Sequence, residues 1–339
     1  MYKPRLIAFE ITQRCRYNCL HCRAGACSVD DNKGTELTTE QCKKILAGIA
    51  DFHKCTIILT GGEPTEREDL VELIEYSRSL GLRVVMATCG YKITDDYLAR
   101  LKEAGLMALS LSLDGAVAET HDAFRRTPGA FDAVLSAAET ARKLGVKFQI
   151  NTTITKSNLK QLPAIVELAE QLGAYCFNPF ILVPTGRAKD IADQILSAEQ
   201  YEKLLEELLQ LKLSSDIAVR LTCGPQFARL CRQADPTGKT IKSAGCMAGR
   251  EFCFISYKAD VQTCGFLEIS AGNLIENNYS FEKVWLGSGF LNEIRDRAAY
   301  KGICGRCKYT EVCGGCRARA YTITGDYMAS DPICIFYTQ

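Results

Sequence analysis

The first two thirds of the chain alternate short β-branched runs with helix-length amphipathic segments, and this alternation constrains the possible folds more than any other feature. The predicted strands cover residues 6–12, 56–60, 82–87, 106–113, 147–154 and 175–183. The predicted helices cover residues 39–50, 68–80, 95–104, 130–144, 159–172 and 198–211. Glycine follows four of these helical segments, as it does at helix C-caps, at positions 81, 105, 145 and 173. Six successive β-α units predict an α/β fold with a parallel sheet.

Six units are too few to close an eight-stranded barrel, so we expect a partial (β/α)6 TIM-like barrel with its chemistry at the carboxyl ends of the strands. After about residue 214 the pattern changes to one strand-like run at 217–222 and a polar stretch at 233–245. From Cys246 onward long helical patterns are scarce, and a small loop-rich region of this kind needs an inorganic group to hold it together. The predicted domains are a partial barrel at 1–215, a bridging segment at 216–245 and a small Cys-rich C-terminal domain at 246–339.

The composition excludes several functional classes. The 41 Lys and Arg residues balance 40 Asp and Glu residues, and a net charge of +1 offers no attraction for nucleic acid or for an anionic membrane surface. Apolar runs are all too short to span a bilayer, so no membrane span is expected. The N-terminal stretch lacks the apolar core and cleavage site of a signal peptide, so a cytoplasmic location is expected.

Cysteine is the unusual component, with 18 among 339 residues. A secreted disulfide scaffold would be shorter and follow a signal peptide, ordinary buried thiols would be scattered, and a metalloprotein would group its cysteines at short spacings. Cys15, Cys19 and Cys22 form a C-x3-C-x2-C group directly after the first predicted strand. Three thiolates in one loop can hold three irons of a cubane cluster and leave the fourth iron open to a substrate or cosubstrate. A structural zinc site is the alternative, but zinc usually takes four ligands, and Cys27 and His21 are poorly placed to complete it.

This loop resembles the cluster-binding motif of the radical SAM superfamily, and further residues match that family in order along the chain. Residues 61–64 are Gly-Gly-Glu-Pro, and the resemblance implies that they bind the amino group of S-adenosyl-L-methionine (SAM). Thr88-Cys89-Gly90 departs from the Thr-Asn-Gly of many relatives. The other matching residues imply contacts with the ribose, carboxylate or adenine of SAM, although each is also compatible with an ordinary strand end. The implied cofactor-binding residues are His21, Gly61, Gly62, Glu63, Pro64, Ser112, Asp114, Asn151 and Val183.

The resemblance implies a radical reaction. A reduced [4Fe–4S] cluster gives one electron to SAM, which breaks into methionine and a 5′-deoxyadenosyl radical that removes a hydrogen atom from an unactivated carbon. Acid and base side chains cannot perform this step, so the cofactors supply the difficult chemistry and the barrel excludes water.

A second group of cysteines lies near the C-terminus. Its members are Cys246, Cys264, Cys304, Cys307, Cys313, Cys316 and Cys334. They resemble the SPASM extension of radical SAM enzymes, which houses auxiliary iron–sulfur clusters. The resemblance implies one [4Fe–4S] cluster on residues 304, 307, 313 and 334, and another on residues 246, 264 and 316 with Cys253 as a candidate fourth ligand. The final pair is C-x2-C where many SPASM proteins have C-x3-C, so one and two auxiliary clusters both stay open, and zinc is the rival at the paired cysteines. Most of the eight other cysteines, among which Cys253 is counted, are expected to be core or surface thiols.

Motifs along nearly the whole chain are similar to those of the tetrapyrrole-modifying branch of these enzymes, that of the haem b synthases. The matching segments are residues 14–24, 148–153, 182–187, 264–267, 271–273, 313–320 and 331–334. The resemblance implies oxidative decarboxylation of two propionates of iron-coproporphyrin III to vinyl groups, with a low-potential electron donor such as ferredoxin or flavodoxin. Arginines would neutralise the substrate carboxylates. The candidates are Arg125, Arg187, Arg317 and Arg319, each equally compatible with a surface or capping role, and Arg125 also with the SAM carboxylate.

Three alternatives stay open. One is removal of tetrapyrrole side chains in the haem d1 pathway, which belongs to the same branch. Another is a SPASM maturase that modifies peptides; such enzymes often carry an N-terminal precursor-binding domain, for which the 14 residues before Cys15 leave no room. The third is a non-enzymatic metal-binding scaffold, which the Gly-Gly-Glu-Pro segment and the six β-α units disfavour.

Overall fold

Ten strands form one sheet in the computed structural model, which describes residues 1–26, 36–241, 243 and 245–337. They are β1 (Leu6–Thr12), β2 (Thr56–Gly61), β3 (Arg83–Thr88), β4 (Leu106–Ser112), β5 (Lys147–Ile154), β6 (Cys176–Ile181), β7 (Ala218–Val219), β8 (Phe252–Ile255), β9 (Asp260–Gln262) and β10 (Gly272–Asn273). The order across the sheet is β10-β9-β8-β1-β2-β3-β4-β5-β6-β7. Pairing is parallel from β8 through β1 to β7, and antiparallel between β8, β9 and β10.

Helices connect the parallel strands and complete the C-terminal region. They are α1 (Thr39–Phe52), α2 (Leu70–Ser79), α3 (Asp95–Ala104), α4 (Ala118–Arg125), α5 (Ala130–Lys143), α6 (Leu162–Gln171), α7 (Ala198–Ser214), α8 (Phe227–Ala234), α9 (Phe281–Gly287), α10 (Gly289–Arg295), α11 (Gly302–Arg306) and α12 (Arg317–Thr324). The predicted α/β architecture with a partial TIM-like barrel is confirmed. Within the described residues, the helices are too short or too polar to cross a membrane.

Local sequence explains where the elements begin and which face they bury. The N-caps of α1 and α7 are capping boxes, in which Thr38 pairs with Gln41 and Ser197 with Gln200. Along β5 the apolar residues alternate with Gln149, Asn151 and Thr153. Since successive side chains of a strand point to opposite faces, the apolar set enters the core and the polar set lies on the inner face of the barrel.

The sheet passes through all three predicted domains. Strand β7 lies in the bridging segment, and β8 from the Cys-rich segment pairs with the free edge of β1, from Leu6 opposite Phe252 to Phe9 opposite Ile255. The division into three domains stays a prediction, because the segments share this sheet.

Two local features differ from the sequence-based expectation. Helix α4 was not predicted, and the strand expected at 217–222 is only two residues long, with Thr222 making an isolated bridge to Phe180. The polar stretch expected at 233–245 begins with the end of α8 and continues in a turn, where the Asp235 carboxylate accepts backbone N–H groups of residues 237, 240 and 241.

Candidate functional site

The first cysteine loop follows β1 and brings its three sulfur atoms together. Cys15 and Cys19 are buried, Cys22 is partly buried, and the charges of Cys19 and Cys22 are close enough to raise the pKa of Cys15. Burial is the larger cause and raises that pKa to about 12, so the free thiol is neutral until a metal displaces its proton. Each sulfur accepts one N–H, from Tyr17 N to Cys15 at 3.4 Å, from Arg125 Nη1 to Cys19 at 3.8 Å and from Ala26 N to Cys22 at 3.4 Å. Such donors stabilise the negative charge of cluster thiolates.

Two glycines allow the end of β2 to lie directly against this loop. A Cβ atom on Gly61 would be 2.2 Å from the Thr12 carbonyl oxygen, and one on Gly62 would be 2.3 Å from that of Arg14. The Gly62 and Glu63 N–H groups donate to those same two carbonyls at 2.8 Å. The Gly-Gly pair is therefore required by backbone contact, and it places Glu63 beside the cysteine loop.

The Glu63 carboxylate is buried between β2 and β3 and accepts four hydrogen bonds. The donors are Thr65 N at 3.2 Å, Thr65 Oγ1 at 3.0 Å, Thr88 Oγ1 at 2.8 Å and Cys89 N at 2.8 Å. Burial raises the pKa of Glu63, and these donors oppose that effect. Cys89 donates to Glu63 through its backbone N–H, a contact that the departure from Thr-Asn-Gly leaves intact, and its thiol also helps to lower the pKa of Glu63.

The segment after β6 holds the cysteine loop from the other side. Arg187 donates through its Nε to the Cys19 carbonyl at 3.0 Å and through Nη1 to the Ala26 carbonyl at 2.7 Å, and its N–H donates to the Cys22 carbonyl at 3.0 Å. Gly186 adopts φ +55°, and a Cβ there would be 2.2 Å from the Arg23 carbonyl oxygen. This role of Arg187 was not predicted from the sequence.

A buried ion pair lies behind the loop. Arg125 Nη2 is 2.5 Å from Asp114 Oδ2, and the Asp114 Oδ1 atom accepts the Thr153 N–H at 2.7 Å. Burial alone would raise the pKa of Asp114, but the Arg125 charge more than offsets it, so that pKa is below its usual value. His21 is 3.8 Å from the same carboxylate and stacks on Phe124 with ring centroids 4.5 Å apart.

Polar groups continue along the carboxyl ends of the next strands. Ser112 pairs in register with Asn151, whose Oδ1 accepts the Asn178 amide at 3.1 Å, and Asn178 Oδ1 accepts the Thr222 hydroxyl at 3.1 Å. Val183 is buried in a cluster with Cys316 and other residues of the Cys-rich region. The residues that were predicted to contact SAM therefore lie at the ends of consecutive strands, and the last one touches the second group of cysteines.

The C-terminal cysteines form two separate groups. Cys304, Cys307, Cys313 and Cys334 line one cavity of about 30 Å³, together with polar residues that include Asp331. Cys246, Cys264 and Cys316 form the other group. Burial raises the pKa of Cys246 and of Cys264, and the nearby Cys316 raises both further. Cys223 lies near Cys316 and Cys264. Cys253 lies elsewhere, in the main core on β8 next to Cys55, and its thiol donates to the Phe254 carbonyl. In the described residues no three His, Cys, Asp or Glu side chains are close enough to bind a single metal ion.

The other two candidate arginines are engaged in this region. Arg317 donates to the Tyr327 and Ala329 carbonyls and to the Cys304 sulfur at 3.4 Å. Arg319 is fully buried and pairs with Asp331 through Nε at 2.9 Å and Nη2 at 3.0 Å. Asp331 also accepts the Cys316 N–H at 2.8 Å. This geometry favours a structural role for both arginines.

Arg23 connects the first cysteine loop with the C-terminal region. Its guanidinium donates to Glu10 at 2.9 Å and to the Gly265 carbonyl at 3.4 Å, and lies 4.5 Å from the centre of the Phe254 ring. Glu10 is buried on β1 and also accepts the Tyr257 N–H. In the sequence Arg23 is only one residue of the matching segment 14–24, and its link to the C-terminal region was not predicted.

Three grouped thiols at the end of the first strand of an open parallel barrel, beside buried polar side chains, are an arrangement typical of iron–sulfur enzymes. The chain belongs to the radical SAM superfamily: residues 9–169 match the model of that superfamily, and relatives that cover 98% of the chain are 40–41% identical to it. It is 41% identical to the AdoMet-dependent heme synthase of Methanosarcina barkeri, over 98% of this chain and 97% of the relative. It is 32% identical to the Fe-coproporphyrin III synthase of the same organism, over 98% and 88%. The crystal structure of Streptococcus suis SuiB bound to precursor peptide SuiA has the same fold, with a TM-score of 0.75, 17% identity, and coverage of 99% of this chain and 76% of that one.

As a member of this superfamily the protein is a radical SAM enzyme that uses SAM and a [4Fe–4S] cluster. The residues present fit these groups. Three sulfurs with one N–H donor each suit three irons of a cubane, and the Glu63 carboxylate lies close enough to Cys15 to help raise the pKa of that thiol.

Proposed function

We propose that the protein is a haem b synthase, which converts two propionates of iron-coproporphyrin III into vinyl groups. The observation that carries the proposal is 41% identity to a relative named AdoMet-dependent heme synthase, over nearly the full length of both chains. A tetrapyrrole is also in the name of the Fe-coproporphyrin III synthase, which is similar over the same part of this chain at 32% identity. We further propose a cytoplasmic location, since reduced thiols and low-potential clusters suit a reducing compartment.

We propose that Cys15, Cys19 and Cys22 hold the radical cluster. When bound, this cluster and SAM supply the 5′-deoxyadenosyl radical. The chain itself fixes the geometry around them: Arg187 holds the loop by two carbonyls, and Arg125 places a donor on the Cys19 sulfur. Both contacts are partly or fully buried, so they also keep water away from the loop.

The SAM site in this proposal is formed by the strand ends. The Glu63 carboxylate would accept the amino group of SAM, because its four neighbouring donors keep it oriented and stabilise its charge. Ser112, Asn151 and Val183 would contact the ribose and adenine, and the backbone around Gly61, Gly62 and Pro64 would shape the pocket. His21 and Asp114 would support this pocket from behind, since both are held against α4.

Each conversion removes a hydrogen atom from the propionate β-carbon, releases CO2 and leaves one surplus electron that must go to an acceptor. We propose that the Cys-rich region holds this acceptor on one or two auxiliary [4Fe–4S] clusters, with Cys304, Cys307, Cys313 and Cys334 as one ligand set. The buried cluster that contains both Val183 and Cys316 supports an acceptor next to the barrel. A ferredoxin or flavodoxin would supply the electron that reduces the radical cluster.

The test is incubation of anaerobically reconstituted protein with SAM, a reductant and iron-coproporphyrin III, followed by mass spectrometry. We expect product masses lower by one and then two formic acid units, together with 5′-deoxyadenosine. SAM cleavage without any change in the tetrapyrrole would contradict the proposed substrate, and loss of whole side chains would indicate haem d1-type chemistry instead. The Cys15→Ala variant is the control, because it should lose SAM cleavage altogether.

A further inference from the structure

Cys223 occupies a strained and firmly held position between β7 and α8. Its backbone is left-handed, with φ +59°, a conformation that residues other than glycine rarely adopt and that concentrates at functional sites. Thr222, directly before it, donates its N–H to the Pro179 carbonyl at 2.9 Å, and its own carbonyl accepts the Ile181 N–H at 3.0 Å. The barrel edge thus fixes the direction in which the Cys223 side chain leaves the backbone.

That direction brings the Cys223 thiol to three others. It lies close enough to Cys316 and Cys264 to interact with both, while Cys246 lies near both Cys264 and Cys316. Cys223, Cys264 and Cys316 pack in the same apolar cluster as Val183. The Cys223 carbonyl accepts Arg319 Nη2 at 3.1 Å, so the buried Arg319–Asp331 pair holds this residue to the Cys-rich region.

Two other buried cysteines that have no assigned role lie in the main core and not beside Cys246, Cys264 and Cys316. Cys253 points into the main core beside Cys55, and Cys231 lies on α8 in the same core. Cys223 comes from the barrel side, 23 positions before Cys246, and that spacing gives no sign of a shared site.

We infer that Cys223 is the fourth ligand of an auxiliary [4Fe–4S] cluster held by Cys246, Cys264 and Cys316. The inference rests on the proposal that these three cysteines bind a cluster, and it does not depend on the identity of the substrate. Four thiolates satisfy all four irons, so such a cluster has no open position for a substrate and would serve electron transfer only.

The test isolates the auxiliary clusters in a chain that also carries Cys15→Ala, Cys19→Ala and Cys22→Ala. In this background two cubanes would give about eight irons per chain. Adding Cys223→Ala should lower the iron content and produce the EPR signal of an oxidised [3Fe–4S] cluster. The matched control is Cys253→Ala, at another buried cysteine, in the main core on β8, which should keep the iron content and the EPR spectrum of the background chain.

Cys223→Ser covers the case in which the alanine variant does not fold. Serine is almost the same size and offers an oxygen ligand, so we expect a retained cluster with a shifted EPR spectrum and reduction potential. Unchanged iron and unchanged spectra in the folded Cys223 variants would overturn the assignment, as would a Cys223–Cys316 disulfide in the reconstituted chain. Cys264→Ala distinguishes failure of the proposed cluster from failure of the proposed fourth ligand. If Cys264→Ala also leaves the iron content unchanged, no cluster is bound at this group. If it removes iron while Cys223→Ala does not, only the assignment of Cys223 is wrong.

Discussion

Backbone contacts at single residues determine how close the SAM-binding segment can come to the cysteine loop. Gly62 shows this without any unusual φ angle, because its Cα faces the Arg14 carbonyl oxygen, and a Cβ would be 2.3 Å from that oxygen. Neither partner is a flexible side chain that could turn away. The loop and β2 would have to separate to admit even a methyl group.

We therefore expect Gly62→Ala to lower the thermal unfolding midpoint and to reduce iron in the radical cluster, with a cost of about 1–3 kcal/mol typical of forced overpacking. The matched control is Gly289→Ala, at the start of α10, where an added Cβ meets no atom within 4 Å. That variant should be neutral or slightly more stable, because alanine is the better helix former. Equal behaviour of the two variants in calorimetry and iron assays would show that the close approach is unimportant.

Glu63 offers a second test at the residue scale. In Glu63→Gln an amide NH2 must face either the Cys89 N–H or the three donors of Thr65 and Thr88, so at least one donor loses its acceptor and the charge is lost. Hydrogen bonds to charged groups contribute about 1.5–3 kcal/mol, so SAM affinity should fall roughly tenfold to a hundredfold. Equilibrium dialysis measures this loss, and the exposed Glu68→Gln should leave the affinity unchanged.

At the scale of elements, helix α4 was missed because two of the three residues that it buries are polar. Its sequence, AETHDAFR, has no apolar periodicity, and it buries His121, Phe124 and Arg125. His121 Nδ1 accepts the Asp114 N–H at 3.0 Å, and Arg125 pairs with the Asp114 side chain. The helix is held by Asp114, which lies just after the end of β4, and a hydrophobic pattern does not show such a polar interaction.

His121 makes the stability of this helix sensitive to pH. Burial and the Arg125 charge lower the pKa of His121 to about 4, against about 6.5 in an unfolded chain. The unfolded state therefore binds the proton first, and the stability that neutral His121 provides is complete above pH 6.5 and is lost as the pH falls toward 4. From pH 6.5 to 5 this loss is about 2 kcal/mol.

The measurement is the thermal unfolding midpoint of anaerobic, reconstituted protein between pH 5 and pH 8. His121→Gln removes the titrating group, so its midpoint should fall less steeply below pH 6.5 than that of the unaltered protein. Parallel curves for the two proteins would contradict the lowered pKa.

The strands were predicted better than the helices of the site. Residues 6–12 and 147–154 match β1 and β5 at both ends, because dense β-branched and apolar runs end there at polar loop residues. The GGEP segment and the first cysteine loop were also recognisable, since their spacing is local. The contacts of Arg187 and the place of Cys223 were not, because they depend on chain segments that are more than 90 residues from their partners.

At the scale of the whole molecule, the buried pair of Arg319 and Asp331 links the barrel to the C-terminal region. Arg319 holds the Cys223 carbonyl, and Asp331 holds the Cys316 N–H and the Gln226 side chain. Breaking a buried pair by removing one partner leaves an uncompensated charge.

Arg319→Leu should therefore destabilise the protein by about 3–5 kcal/mol and lower its auxiliary iron content. Adding Asp331→Asn should recover part of that stability, because the unpaired charge is then removed. Denaturant unfolding and iron analysis measure both effects. The exposed pair of Lys301 and Asp326 is the control, and Lys301→Ala should have a much smaller effect. If Arg319→Leu were as stable as Lys301→Ala, the Arg319–Asp331 pair would not be needed to link the barrel to the C-terminal region.

The turn between Cys313 and Cys316 bears on the survival of the enzyme in air. These residues face different groups of thiols, and only Gly314 and Gly315, both with positive φ, separate them. If each group holds a cluster, as proposed above, oxygen that dismantled one would release one end of this short turn and loosen a ligand of the other. Damage should therefore spread from cluster to cluster, and a cell would find the enzyme either fully loaded or inactive, with half-loaded chains short-lived.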